Sequence, residues 1–255
     1  MIVGIISSLA ASALVVTVTI GWSNRRILVI YFVATLIARN SNIRVSMAVL
    51  LRVQEGGKYL LFHTPFTPST YGPPGGVVKF TDAARPSLDR LEFRDQVHPA
   101  FRRDMTRDLR GFIPGRSLPA FIRWFQSGHD RESSIDCLRR ELREELQEIG
   151  QPDMIGYTAS LKYRFVRSVR QGPKRVSGES YRQFRIIEVY DLETSTHEEE
   201  QAKKRLLAAG RSSDRATLAN SDEIRRGRCN ELLIGAQACY LLGSKSLRED
   251  QPSLR

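Results

Sequence analysis

Cysteine is scarce in this chain. Cys137, Cys229 and Cys239 are the only three in 255 residues. The count is odd and none has metal-ligand spacing, which argues against a disulfide framework or a zinc site and for buried thiols in a reducing compartment. Internal repeats are missing, as is any nucleic-acid-binding signature. The net charge is +11, which favours anionic partners, yet the basic residues form no single tract and do not interleave with aromatics. The reading is therefore no nucleic-acid partner. The length suffices for one sizeable domain and an appendage.

Charge is also missing from Ile2–Trp22. About 20 such apolar residues span the ~30 Å hydrocarbon layer, and Trp22 with Arg25 and Arg26 suits a membrane–water boundary. No Lys or Arg precedes the run, and it exceeds a signal-peptide core, so the expectation is an anchor and not a cleaved leader. A second apolar run, 27–38, is too short to span comfortably. It is expected to complete a shallow hairpin, lie in the interface or thin the bilayer. Residues 1–40 are thus read as membrane anchor with one or two transmembrane helices, 41–243 as the main cytoplasmic domain and 244–255 as a disordered tail.

Within the main domain, Ile43–Val53 and Tyr59–His63 read as a hairpin around Gly56–Gly57. Gly75–Gly76, with Lys79 just after, allow close backbone approach to a ligand, and adjacent amides can cradle phosphate; the alternative is a simple Pro/Gly corner. Residues 81–105 read as an irregular insertion, 108–112 as a short strand and Leu118–Phe125 as a short helix. His129 reads as a turn residue. Leu161–Arg170 and Tyr181–Leu192 read as an antiparallel pair. One side carries Leu161, Tyr163, Phe165 and Val169; the other is basic, with Lys162, Arg164, Arg167, Arg182 and Arg185. Such a face attracts phosphates or is simply solvated. A charged helix over 196–210, a loop over 211–220 and a packed helix over Glu231–Leu242 complete the chain.

The most informative stretch is Arg131–Gly150. At 3.6 residues per turn, Ile135, Leu138, Leu142, Leu146 and Ile149 form one stripe, and Glu141, Glu144, Glu145 and Glu148 a second. Ser133 and Ser134 are candidate N-caps and Asp136 suits the first turn. A row of like charges is unfavourable unless screened, and Mg²⁺ prefers such oxygens. Alternatively, Arg139, Arg140 and Arg143 neutralise the acids of an ordinary solvated helix.

Glu132, seven residues, then Arg140-Glu141-Leu142-Arg143-Glu144-Glu145 resembles the Nudix box. With the hairpin, the Pro-Gly-Gly turn and the late IGAQACYLL, the chain resembles the SMODS-associated NUDIX family. The resemblance implies a Nudix-like α/β/α sandwich with a mixed sheet. It implies Mg²⁺ on Glu141, Glu144 and Glu145, with Arg140 orienting them, if the site is catalytic. It also implies an effector of CBASS antiphage defence at the bacterial inner membrane. The partners would be a cyclic oligonucleotide made by a linked CD-NTase synthase and the lipid bilayer, with ligand-induced homo-oligomerisation leading to membrane disruption. Gly75, Gly76, Lys79, Arg164 and Arg185 would bind the ligand. The competing reading is a Mg²⁺-dependent hydrolase of nucleoside diphosphate derivatives.

Overall fold

The structure is a computed structural model that describes residues 25–64, 70–96, 106–158 and 161–245. The expected span Ile2–Trp22 lies outside the described residues, as does 246–255 of the expected tail. The first described element is α1 (Arg25–Phe32), continued by a π-turn (Val33–Ile37). There follow β1 (Asn42–Arg52), β2 (Gln54–Glu55), β3 (Lys58–His63), β4 (Thr70–Gly72), β5 (Gly75–Val77), α2 (Arg85–Arg90), β6 (Arg94–Asp95) and β7 (Arg110–Pro114). Next come α3 (Leu118–Ser127), α4 (Ser134–Glu148), α5 (Ile155–Thr158), β8 (Tyr163–Arg175), β9 (Arg182–Leu192) and α6 (His197–Ser212). The last elements are β10 (Ala216–Asn220), α7 (Ser221–Arg226), β11 (Arg228–Cys229), β12 (Leu232–Ile234) and α8 (Cys239–Leu242).

These elements form a mixed α/β fold with two mixed sheets. The first has the order β6-β7-β1-β9-β8, with β5 also on β1; the second runs β10-β3-β4-β12-β11, with β2 on β3. Strand β1 organises the first sheet. It pairs in parallel with β9 along almost its whole length. Its other edge takes β7 at Asn42–Ser46 and then β5 at Ala48–Leu50, both antiparallel. Side chains alternate across a strand, and β1 divides accordingly. Ile43, Val45, Met47, Val49 and Leu51 enter the core that holds α4, while Leu50 enters a second core with Tyr71, Val189 and Tyr240.

The expected hairpin is corrected. Only Gln54–Glu55 pairs back on Lys58–Tyr59, around Gly56 and Gly57 at φ 56° and 76°, the positive values a two-residue hairpin loop requires. Most of β1 belongs to the first sheet and β3 to the second, so the chain changes sheets at Val53. The expected helix over Glu231–Leu242 is also corrected. It is strand β12, a 3-10 turn (Ala236–Ala238) and the one-turn α8. Short apolar runs do not distinguish the two forms, and parallel pairing of Leu233–Ile234 with Thr70–Tyr71 selects the strand. Similarly, 216–220 is strand β10, held against β3, and not a loop.

Among the described residues, no helix is long and apolar enough to cross a membrane. The run 27–38 is not a second span. It is α1 and its π-turn, with Ile30, Ala34 and Ala38 buried in the main core. Gly115 makes this docking possible. A Cβ there would collide with the Ala38 carbonyl oxygen and come within 2.8 Å of that of Ala34. Gly115→Ala is therefore expected to destabilise the fold by about 1–3 kcal/mol, the usual range for overpacking. A lowered midpoint of urea unfolding would show it.

Candidate functional site

Helix α4 carries the site. It starts where the Ser133 hydroxyl accepts from the Asp136 amide at 3.1 Å, a side-chain N-cap. Cys137, Leu138, Leu142 and Leu146 are buried in the core. That fixes the helix's rotation and places Glu141 and Glu145, one turn apart, over the Gly75–Gly76 turn.

Both glycines are explained by those acids. The Glu141 carboxylate lies where a Cβ on Gly76 would be. The Gly75 amide donates to both Glu145 oxygens, at 3.2 and 3.3 Å. Gly75 itself sits at φ 126°, a conformation that favours glycine. So a backbone amide that the sequence offered to a phosphate is engaged by a carboxylate.

Arg140 ties the site to its surroundings. Its guanidinium donates to Glu132 Oε1 at 2.7 Å, Glu132 Oε2 at 3.2 Å, Glu141 Oε1 at 2.7 Å and the Val77 carbonyl at 3.0 Å. A weaker contact reaches Glu144 at 3.5 Å. Glu132 also accepts from the Lys79 amide at 2.7 Å. Burial alone would lower the Arg140 pKa; the hydrogen bonds to Glu132 and the charge of Glu141 outweigh it and hold the pKa above its usual value.

The carboxylates titrate upward. Burial pushes Glu145 well up, Glu141 adds to the effect, and the Gly75 amide opposes it. Burial raises Glu141 too, against the pull of Arg140. Such shifts mark buried like charges without full compensation.

The remaining candidates lie elsewhere. The Lys79 ammonium pairs with Asp108 at 3.2 Å at the edge of the site. Arg164 donates to Asp191, which Arg52 also holds. Arg185 reaches Gln171 and the Tyr240 hydroxyl, each at 3.3 Å. Strand parity explains the separation. Arg185 and Asp191 share a side of β9 with Ile187 and Val189, in the second core. Phe184 and Ile186 point to the core that contains α4. Arg164 and Arg185 are therefore on the sheet face opposite Glu141 and Glu145. A register shift between Phe165 and Arg167 puts Arg167 and Val169 on the side of Arg164, so Val169 lies in the second core and not on the face of Phe165.

Two residues were given no role from sequence, Glu132 being quoted only as the first acid of the box. Glu132 had a signal, its fixed spacing ahead of Arg140. Asp108 had none. It is 7% exposed, pushed up by burial against the pull of Arg110 and Lys79, and close enough for its charge to raise Glu141. A cavity of about 530 Å³ also opens beside the C-terminal end of α4. Its lining includes Glu148, His63, Tyr71, Asp214 and Arg215, and Glu148 is one turn beyond Glu145. The Tyr71 hydroxyl donates to the Asp214 carbonyl at 2.6 Å and Arg215 to the Glu148 carbonyl at 2.8 Å.

Among the described residues, no three His, Cys, Asp or Glu side chains are grouped to hold a metal ion. The donor chemistry of Glu141 and Glu145 nevertheless fits a hard divalent cation, since two carboxylates one helical turn apart offer it oxygen ligands. Glu144 lies on the same flank and is more exposed.

A family model described as SMODS-associated NUDIX domain matches residues 42–242. Among solved structures, "Solution structure of the E. coli ORF135 protein" is similar at 15% identity and TM-score 0.33, covering 79% of this chain and 89% of that one. No curated protein matches.

Proposed function

Because the chain belongs to the SMODS-associated NUDIX domain family, we propose that it is a membrane-anchored defence effector whose Nudix-like domain senses a cyclic oligonucleotide. The observation that carries this reading is the order of features along α4: the carboxylate pair on the Gly75–Gly76 turn, then the cavity one turn further on. A phosphate at the first and a nucleoside at the second would be held by one rigid helix. Phosphate and two carboxylates repel, so a Mg²⁺ ion held by Glu141 and Glu145, with Glu144, would bridge them. Arg140 keeps Glu141 in place for that role and does not itself face the ligand.

The output assigned to the ligand is oligomerisation of the domains, which gathers the apolar segments Ile2–Trp22 at the bacterial inner membrane and breaches it. Binding shifts that equilibrium only if the ligand prefers one arrangement over the other. A cognate cyclic-oligonucleotide synthase supplies the signal. The main domain, with its three buried free cysteines, sits on the cytoplasmic side.

A second reading, a Mg²⁺-dependent hydrolase of nucleoside diphosphate derivatives, is favoured by the raised pKa values of Glu141 and Glu145, a trait of acid–base and metal sites. There the ion would polarise the diphosphate. One experiment separates the two. The full chain in detergent is incubated with Mg²⁺ and a panel of cyclic oligonucleotides and linear dinucleotide derivatives, and mass spectrometry identifies what is bound and what is cut. A cyclic species retained intact supports the sensor. Cleavage of a diphosphate, abolished in Glu145→Gln, replaces it with the enzyme.

A further inference from the structure

Among the described residues, eight large hydrophobic side chains are exposed, and five of them belong to α1 and its π-turn: Leu28, Val29, Phe32, Leu36 and Ile37. Each is more than half exposed. Their spacing repeats about once per helical turn, so they form one face. The opposite face is already used, because Ile30, Ala34 and Ala38 are buried and Tyr31 and Val33 pack beside them. A surface helix normally turns its second face to water with charged residues, but 27–38 contains none. A contiguous apolar patch of this kind marks an interaction site.

We infer that this outer face of α1 is seated in the apolar boundary of a lipid bilayer, lying along the membrane as a fixed part of the Nudix-like domain. The inference rests on the membrane-anchored reading and deepens it. Three observations select lipid as the occupant. The chain directly ahead of α1 is the uncharged run Ile2–Trp22, which delivers the helix to the membrane surface. Arg25, Arg26 and the exposed Arg39 flank the apolar run in sequence, the arrangement that suits anionic headgroups. The tight seat on Gly115 leaves the helix no freedom to fold its outer face inward. Rigid attachment has a functional consequence: when ligand-bound domains rotate against one another, α1 must move through the lipid boundary with them.

The test uses the full chain carrying a nitroxide on Leu36→Cys, reconstituted with vesicles of phosphatidylcholine and phosphatidylglycerol; the native cysteines are buried. A label on the exposed Glu198→Cys serves as reference. Flotation reports membrane association, and collision with dissolved oxygen against a water-soluble nickel chelate reports depth. The expected result is flotation together with an oxygen-to-nickel collision ratio severalfold above the Glu198 reference. Flotation with equal ratios at the two positions overturns the inference and leaves the membrane anchor intact. A Leu36 label shielded from both reagents also overturns it, since protein, either Ile2–Trp22 or a second copy, would then cover the face. Failure to float overturns the anchor and the inference together.

Discussion

Arg140→Met should cost about 3–5 kcal/mol of folding stability, the range for removing one partner of a buried ion pair. The guanidinium satisfies Glu132 twice, Glu141 once and the Val77 carbonyl once. The side chains of all three ionic groups are less than a quarter exposed. Methionine would fill the space but leave two buried carboxylates facing one another without a cation. At about 2–4 °C per kcal/mol for a domain of this size, calorimetry should show a drop on the order of 10 °C. Combining Arg140→Met with Glu132→Gln should recover part of the loss, because one uncompensated charge goes with its partner. A double variant as unstable as the single one would show that packing, not charge pairing, sets the role of Arg140.

Divalent cation should have an effect nearly as large and opposite in sign. At about a hundred times its dissociation constant, an ion that binds only the folded state stabilises by about 2.7 kcal/mol, or roughly 5–10 °C here. The pH dependence follows from the raised pKa values of Glu141 and Glu145. Between the ordinary carboxylate pKa and the raised one, the folded protein holds protons that the unfolded chain has released. Metal-free stability therefore falls as pH rises through that window and levels off above it. Each unit of elevation is worth about 1.4 kcal/mol. Metal displaces those protons, so the gain from Mg²⁺ should be largest above the raised pKa values and shrink as pH falls toward the ordinary carboxylate range. Glu145→Gln keeps an acceptor for the Gly75 amide and removes the charge. Without metal its stability should fall less than the parent's as pH rises, and it should gain little when metal is added. A Mg²⁺ response equal in parent and variant would place the ion elsewhere.

What could be read from sequence was what local periodicity controls. The leucine stripe of α4, its Ser133 cap and the side of the helix on which Glu141 and Glu145 stand are consequences of 3.6 residues per turn, and the structure has all three. Strands β8 and β9 were legible as a pair for the same reason. The basic residues on that pair misled because a strand pattern says which residues share a face, not which face meets the helix. One extra residue near Val166 then reversed the alternation. The C-terminal apolar run failed differently, because its form is decided by Tyr71, far away in sequence, through strand pairing. Asp108 was invisible because its burial depends on contacts between Lys79, Arg110 and the start of β7 that no local pattern encodes.

The parallel pairing of β1 with β9 also bears on how the protein is made. Arg52 lies opposite Asp191 in the sheet, 139 residues later in the chain. Between them the ribosome must synthesise about two thirds of the domain, which at about 5–20 residues per second takes roughly seven to thirty seconds. For that time the central strand has one edge without its partner, while the apolar N-terminal run has already emerged. Early delivery of that run to a membrane would remove the most aggregation-prone part of the nascent chain from solution before the sheet can close.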